Sequence, residues 1–217
     1  LEGVRSRVSD DIGEVTVLTA NGPMKEMPTA ILADEILMEG EGQIKALICV
    51  GGNPLLAWPG QEKAYEALKK LDLLVCIDYK LAATAELADY VIGAKLCLER
   101  EDLTVLTDIW YEQPYAHYTK AVLAAQDDVI EEWELFWELG KRLDLQMSID
   151  QKHPLDMENK PSKYEVLSKM TTGSRVPIEE IYARDGGHIY DVPDIIAQEP
   201  DPATAGRLDL FPDGLAK

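Results

Sequence analysis

IKALICVGGNP, residues 44–54, places a short apolar run directly before two glycines and an Asn-Pro pair. LLVCID at 73–78 repeats the apolar pattern and ends on an acid, and YVI at 90–92 supplies a third such run. Apolar runs without polar alternation are typical of strands in parallel sheets, which are buried on both faces. We therefore predict parallel strands and expect strand 45–50 to be covered on both sides.

A helix is predicted between the first two runs. Residues 61–71 place alanines and leucines on one side and charged residues on the other, as in an amphipathic helix. A strand, a helix and a parallel strand together form a right-handed crossover. Further elements are predicted as helices over 29–39, 84–88, 128–143, 162–170 and 177–182, and as a strand over 14–18.

The predicted fold class is α/β, with a Rossmann-like, mostly parallel sheet flanked by helices and a proline-rich C-terminal extension. Seven of the 12 prolines follow residue 144, and proline limits regular structure. We predict a lead-in segment over 1–30 and a Rossmann-like cofactor-binding domain over 31–145. Residues 146–217 are predicted to be an extension or linker toward a further C-terminal domain.

The chain is strongly acidic, with 21 basic and 40 acidic residues and a net charge of -19. Such a surface repels nucleic acid and anionic membranes, so neither is expected as a partner. The charge fits a solvated acidic shell, and an acidic face could also dock a basic partner subunit. No apolar run of about eighteen residues occurs, so no membrane span is predicted.

The first residues, LEGVRS, contain neither a Met nor the apolar core of a secretory signal. We expect a piece of a longer prokaryotic protein, and the sequence does not decide between cytoplasm and periplasm. Cys49 and Cys76 lie in apolar strands and are predicted to be small buried hydrophobes. With Cys97 they make an odd, widely spaced set, which argues against disulfides and against a zinc or iron–sulfur site built from this chain alone.

The glycine turn after the first strand is the first candidate site. Gly51 and Gly52 allow close approach of the backbone to a phosphate or sugar, and Asn53 offers both a donor and an acceptor. Taken alone, this motif is more often a plain strand-to-helix turn.

Asp78, at the end of the second strand, strengthens the case. Its carboxylate could accept two hydrogen bonds from ribose hydroxyls or from the N1–H and N2–H2 edge of guanine, each worth about 1.5–3 kcal/mol. A helix-capping role is the alternative. The glycine turn and the acid together favour nucleotide binding, whereas the dinucleotide fingerprint and the P-loop motif are both absent, which removes the main support for NAD or ATP.

The combined motifs resemble one family. The motifs are GGNP, LDLLVCID, TAELADYVI and LER, and the likeness continues through EWELF at 132–136. Together they resemble the third domain of molybdopterin oxidoreductases of the dimethyl-sulfoxide reductase type. The resemblance covers residues 31–145, and GRLDL at 206–210 looks like the lead-in to the family's last domain. The sequence departs from the family at Gly93, where proline is common, and at Leu103, where glycine is expected.

This resemblance implies a set of cofactor-binding residues. Asn53, Ile77 and Asp78 match positions that contact the guanosine end of one pterin cofactor, with Gly51 and Gly52 in the adjoining turn.

Two charged residues match further cofactor contacts. Arg100 matches a basic position, where a positive charge makes sense near a diphosphate, and Glu132 matches an acidic one. The alternative for Arg100 is an exposed salt bridge. The alternative for Glu132 is a charge at a helix N-terminus, and for this residue we favour it over a cofactor contact.

No residue of this chain matches a catalytic residue or a metal ligand of the family. The resemblance implies that the chain positions molybdopterin guanine dinucleotide, with Mo or W, for the remaining domains of a parent enzyme, and that it is inactive alone. The parent would also hold a 4Fe-4S cluster, not bound by this chain, and could pass electrons to electron-transfer subunits. The alternative is a non-catalytic structural domain of a respiratory-complex iron–sulfur subunit.

Overall fold

Four parallel strands form the central sheet of the computed structural model, which describes residues 15–19, 22–26, 28–104, 111, 113–149 and 152–192. The strands of the described residues, in chain order, are β1 Val15–Thr19, β2 Gly22–Glu26, β3 Ala46–Val50, β4 Leu73–Asp78, β5 Tyr90–Ala94, β6 Asp102–Leu103, β7 Tyr115–Ala116, β8 Tyr118–Thr119, β9 Val129–Ile130, β10 Ser148–Ile149, β11 His153–Pro154 and β12 His188–Ile189. The helices are α1 Leu32–Leu37, α2 Pro54–Ala57, α3 Gln61–Lys70, α4 Glu132–Arg142, α5 Lys163–Met170 and α6 Ile178–Tyr182.

The central sheet has the strand order β3-β4-β5-β9. Every neighbouring pair is parallel, with Cys49 opposite Cys76 and Ile77 opposite Ile92. The predicted α/β fold with a mostly parallel sheet flanked by helices is confirmed. The predicted strand at 14–18 is β1, which pairs with β2 as an antiparallel hairpin.

Helix α3 covers one face of the sheet. Ala64, Ala67 and Leu68 recur at the spacing of one helix face, and each is at most 2% exposed. They pack with Leu74 and Cys76 of β4 in the largest apolar cluster of the described residues. The amphipathic helix predicted over 61–71 is therefore confirmed.

Other helix boundaries differ from the sequence predictions. The helix expected over 29–39 is a 3-10 turn over Thr29–Ile31 followed by α1, and no side chain caps it. The segment 84–88 is a 3-10 turn over Ala85–Leu87. Helix α4 begins at Glu132 rather than at residue 128, because 129–130 pair with β5 as strand β9.

The second face of the sheet differs most from the sequence prediction. Ile48 and Val50 are 39% and 43% exposed, so the expectation that strand 45–50 is buried on both faces is wrong for this structure. The chain crosses the sheet in one direction, from β3 through β4 and β5 to β9. Right-handed crossovers that all run in the same direction place the connecting helices on the same face. Among the described residues, the Ile48 side is partly exposed on the edge strand β3, whereas Val75 and Ile77 on the same side of β4 are buried.

Gly93 lies where a side chain would crowd the neighbouring strand. It pairs with Asp78 on one side and with Val129 on the other, and a Cβ added there would lie 3.1 Å from Val129 Cγ1. The close approach of β5 and β9 thus accounts for glycine at this departure from the family pattern. Proline at a position flanked by strands on both sides would remove a ladder donor.

Residues 152–192, within the predicted proline-rich extension, form packed structure. Leu155 and Val166 cluster with Trp137 of α4. A second cluster joins α5 and α6 to the short strands β6, β7 and β8. Helices α5 and α6 match the helices predicted over 162–170 and 177–182. Residues 1–14 and 206–210 lie outside the described part of the chain.

Candidate functional site

All of the residues selected from the sequence lie at the carboxyl edge of the central sheet. Gly51, Gly52 and Asn53 follow β3, and Ile77 and Asp78 end β4. Arg100 comes after β5 and a 3-10 turn, and Glu132 begins α4 just after β9. The carboxyl edge is where open parallel sheets bind ligands, and the parallel topology alone brings these positions to it.

The glycine turn is attached to the neighbouring strand and open on its outer side. Gly51 adopts a φ of +58°, a left-handed conformation that favours glycine. Its N–H donates to the Ile77 carbonyl at 2.9 Å. A Cβ at Gly51 would meet no atom of the described residues within 4 Å, so the turn leaves room for a group beside the sheet edge.

Asn53 is held by a residue that the sequence reasoning did not select. Its Oδ1 accepts from the Thr84 hydroxyl at 2.7 Å and from the Thr84 N–H at 3.2 Å. The Thr84 hydroxyl in turn accepts from the Leu55 N–H at 3.0 Å, and Thr84 is fully buried. We call these three residues the loop clamp, because they join the turn after β3 to the turn after β4.

The loop clamp changes the chemistry expected of Asn53. A backbone N–H can only donate, so the atom facing Thr84 must be the Asn53 oxygen. Both acceptor positions of that oxygen are used, and the expectation that Asn53 offers an acceptor to a ligand is wrong. Its NH2 group has no partner among the described residues, so Asn53 presents a donor only.

Asp78 retains acceptor capacity. Its side chain is half-buried, and one oxygen accepts from the Lys80 N–H at 3.1 Å in a local turn. The second oxygen has no hydrogen-bond partner in the part of the chain that the structure describes. A half-buried carboxylate oxygen beside an open glycine turn can accept N–H or O–H groups of a ligand.

Ile77 acts through its backbone. Its side chain is 1% exposed and cannot reach a molecule at the sheet edge. Its carbonyl accepts from the Gly51 N–H. The position therefore shapes the turn, and a side-chain contact to a cofactor does not fit this geometry.

Arg100 and Glu132, both expected to contact a cofactor, pair with each other. Arg100 NH1 lies 3.1 Å from Glu132 Oε2, and its NH2 lies 3.3 Å from Asp102 Oδ2. The Arg100 Nε is buried and has no hydrogen-bond partner among the described residues. The pair connects the segment after β5 to the first turn of α4. Arg100 thus forms a salt bridge, but its side chain is only 24% exposed, whereas the alternative was an exposed pair.

Glu131 is a second residue that the sequence reasoning missed. It is 5% exposed, and its Oε2 lies 2.7 Å from Lys163 Nζ and accepts from Trp133 Nε1 at 3.1 Å. Its Oε1 lies 3.7 Å from Lys95 Nζ. Glu131 thus connects β5, α4 and α5. The only local signal was its place as the N-cap of α4, where Glu134 accepts from its backbone N–H at 2.7 Å.

The cysteines behave as the sequence predicted. Cys49 and Cys76 are buried, free and adjacent on neighbouring strands, and the Cys49 thiol donates to the Gly52 carbonyl at 3.3 Å. Burial raises the pKa of both thiols, that of Cys76 to about 11. Cys97 is exposed.

We expect only one of the three thiols to label readily. At pH 8 a thiol with a pKa near 11 is ionised in about one molecule in a thousand, and the thiolate is the nucleophile. Short treatment with iodoacetamide followed by mass spectrometry should add one group, at Cys97. Rapid labelling of Cys49 or Cys76 in the folded protein would show that the β3–β4 side of the core opens.

Two kinds of feature are absent from the described residues: a metal-binding cluster and a membrane-spanning helix. No group of three or more His, Cys, Asp or Glu side chains there could hold a metal ion. None of the helices in that part of the chain combines the length and the apolar character needed to cross a bilayer.

The family model of molybdopterin oxidoreductases matches residues 19–142. Among curated proteins, the probable oxidoreductase YyaE of Bacillus subtilis is 33% identical over 114 residues, covering 51% of this chain and 16% of that protein. Acetylene hydratase of Syntrophotalea acetylenica is 28% identical over 138 residues, covering 64% of this chain and 18% of the relative. The F420-dependent formate dehydrogenase subunit alpha of Methanocaldococcus jannaschii is 28% identical over 148 residues, covering 68% and 21%.

A solved structure also matches the fold. Acetylene hydratase from Pelobacter acetylenicus superposes with a TM-score of 0.58 at 24% identity, covering 76% of this chain and 21% of that one. The chain therefore spans about a fifth or less of the length of each of these relatives.

Proposed function

Because the chain belongs to the molybdopterin oxidoreductase family, we propose that it holds the guanosine end of one molybdopterin guanine dinucleotide within a longer molybdenum or tungsten enzyme. The observation that carries this proposal is the carboxyl edge of the sheet, where the open turn at Gly51 adjoins Asn53 and Asp78. The bound metal would supply the redox chemistry, and this chain would bind and orient the cofactor. It contributes no catalytic residue to the proposal.

The hydrogen-bonding groups at the edge fit guanine. Guanine offers two donors, N1–H and N2–H2, and one acceptor, O6, along a single edge. The available Asp78 oxygen can take the donors, and the Asn53 NH2 can reach an acceptor. Adenine presents the opposite order on the corresponding atoms, so this pair of residues supports selection of guanine.

Arg100 and Glu132 have a different place in the proposal. The guanidinium charge of Arg100 is already balanced by Asp102 and Glu132, so a diphosphate would gain little from it. We assign to this pair the positioning of the α4 start beside the sheet edge. The Arg100 Nε is buried and has no hydrogen-bond partner among the described residues.

The rest of the enzyme is also part of the proposal. The chain covers only a short share of each relative, which supports a parent that carries further domains. We propose that these domains also hold a 4Fe-4S cluster. One relative is named as an alpha subunit, which supports a parent that works with electron-transfer subunits.

Guanosine 5′-diphosphate tests the proposal directly. Isothermal titration calorimetry should show that the chain binds GDP more tightly than ADP. Asp78→Asn removes the charged acceptor and should weaken GDP binding about 10- to 100-fold, since a charge-assisted hydrogen bond contributes about 1.5–3 kcal/mol.

Asp72→Asn is the matched control. Asp72 precedes the amino end of β4, at the opposite edge, and pairs with Lys45 at 3.6 Å. The Asp72→Asn substitution makes the same change of charge as Asp78→Asn and should leave GDP binding unchanged. Equal binding of GDP and ADP, no binding of either, or equal effects of the two variants would contradict the proposal.

The non-catalytic alternative is favoured by one observation. The ion pairs of Arg100 with Asp102 and Glu132 describe a residue with a structural role. A structural domain of a respiratory-complex iron–sulfur subunit needs no guanosine site, so failure of the GDP titration is the result that this alternative predicts.

A further inference from the structure

Tyr79 is the most exposed of the large apolar side chains that the structure describes, at 71%. It follows Asp78 directly, at the carboxyl edge of the central sheet. No hydrogen bond, ion pair or ring contact joins its side chain to another described residue. The Tyr79 ring therefore contributes little to the packing of the described residues, although it lies beside a carboxylate with an available oxygen.

The turn that carries Tyr79 is held at both ends by hydrogen bonds. Asp78 Oδ1 accepts from the Lys80 N–H at 3.1 Å, which places Tyr79 in the middle of a local turn of the kind that aspartate side chains close. Further along, the Ala82 N–H donates to the Lys80 carbonyl at 2.8 Å, and Thr84 belongs to the loop clamp. Because the turn is fixed before a ligand arrives, binding beside Tyr79 costs little ordering of the chain.

Apolar side chains accompany the hydrogen-bonding groups on both loops of the site. Leu56 in α2 and Leu81 after β4 are exposed as well, and the loop clamp joins the two loops that carry them. A few convergent polar groups among apolar and aromatic side chains are the usual composition of a small-molecule site. The Asp78 carboxylate can bind only the edge of a planar base, so the faces of that base are left to apolar neighbours.

We propose that Tyr79 is the residue on which the guanine of the bound nucleotide stacks. This inference rests on the proposed function and adds to it a contact with the face of the base. Consecutive Cα atoms are about 3.8 Å apart, so a base whose edge meets the Asp78 carboxylate lies within reach of the Tyr79 ring. Stacking on an aromatic side chain tolerates any base, because every base has a π face. In this arrangement Asp78 selects guanine, whereas Tyr79 adds affinity without selecting among bases.

Substitutions at Tyr79 separate the ring from the hydroxyl. Tyr79→Ala removes both and should weaken GDP binding about 5- to 100-fold in isothermal titration calorimetry. Tyr79→Phe keeps the ring and should bind GDP as the unchanged chain does. Tyr90→Ala is the matched control, because Tyr90 is 64% exposed but begins β5 at the opposite edge of the sheet. It should leave GDP binding unchanged.

A tryptophan reporter at the same position gives a readout that a merely structural role would not move. GDP should quench the fluorescence of the Tyr79→Trp variant beyond any quenching in the unchanged chain, which carries four native tryptophans. Tyr90→Trp should show no such additional quenching.

Three results would overturn the inference. If Tyr79→Ala binds GDP as tightly as the unchanged chain, the ring does not contact the base. If Tyr79→Phe loses as much affinity as Tyr79→Ala, the hydroxyl is responsible rather than the ring. If Tyr79→Trp binds GDP without additional quenching, the base lies elsewhere. In all three results the unchanged chain binds GDP and Asp78→Asn weakens that binding, whereas the proposed function fails when the unchanged chain does not bind GDP, so the two failures are distinguishable.

Discussion

Replacing Thr84 with valine should lower the free energy of unfolding by about 2–4 kcal/mol and weaken GDP binding roughly tenfold. Valine has nearly the same shape, so the buried volume is kept and only the hydroxyl is lost. That hydroxyl donates to Asn53 Oδ1 and accepts from the Leu55 N–H. Without it the Leu55 N–H lacks its partner, and Asn53 keeps only the longer bond from the Thr84 N–H.

Thr84→Ser provides the matched control, because it keeps the hydroxyl and removes one methyl group. It should cost about 1 kcal/mol of stability and preserve GDP affinity. Urea unfolding gives the stability and calorimetry gives the affinity. If Thr84→Val unfolds at the urea concentration of the unchanged protein, or if Thr84→Ser loses as much GDP affinity, the loop clamp does not position Asn53.

Replacing Glu131 with glutamine should destabilise the protein by about 3 kcal/mol or more. Removing one member of a buried ion pair leaves the remaining charge uncompensated, which typically costs about 3–5 kcal/mol. Here two ammonium groups are affected, since Lys163 lies 2.7 Å and Lys95 lies 3.7 Å from the carboxylate. Because these lysines lie on α5 and just after β5, the variant should loosen the C-terminal helices from the sheet.

The adjacent residue is a close control for this experiment. Glu132 differs from Glu131 chiefly in burial, since its side chain is 32% exposed and its partner Arg100 keeps Asp102. Glu132→Gln should therefore cost only about 0.2–1 kcal/mol. Urea unfolding followed by tryptophan fluorescence compares the two variants. Equal losses would show that burial of the Glu131 carboxylate is not what holds α4 and α5 to the sheet.

Local patterns in the sequence were sufficient for the parallel strands, for α3 and for the place of the candidate site. Period and composition are local properties: an apolar run of five or six residues followed by Gly51-Gly52 or Asp78 already specifies a strand and its carboxyl end. Since parallel strands share one edge, the sequence also predicted that these residues lie on that edge. The same patterns carried the family resemblance, which the match over 19–142 confirms.

The amino-acid sequence by itself determined the α/β class, the family and the edge of the sheet that carries the candidate site. Only the tertiary structure decided which polar groups at that edge remain available. The Asn53–Thr84 contact joins residues 31 apart, and the Arg100–Glu132 contact joins residues 32 apart. Contacts over such separations leave no periodic trace in the sequence. For the same reason the apolar pattern of β3 predicted two covered faces, whereas Ile48 and Val50 on this edge strand are partly exposed.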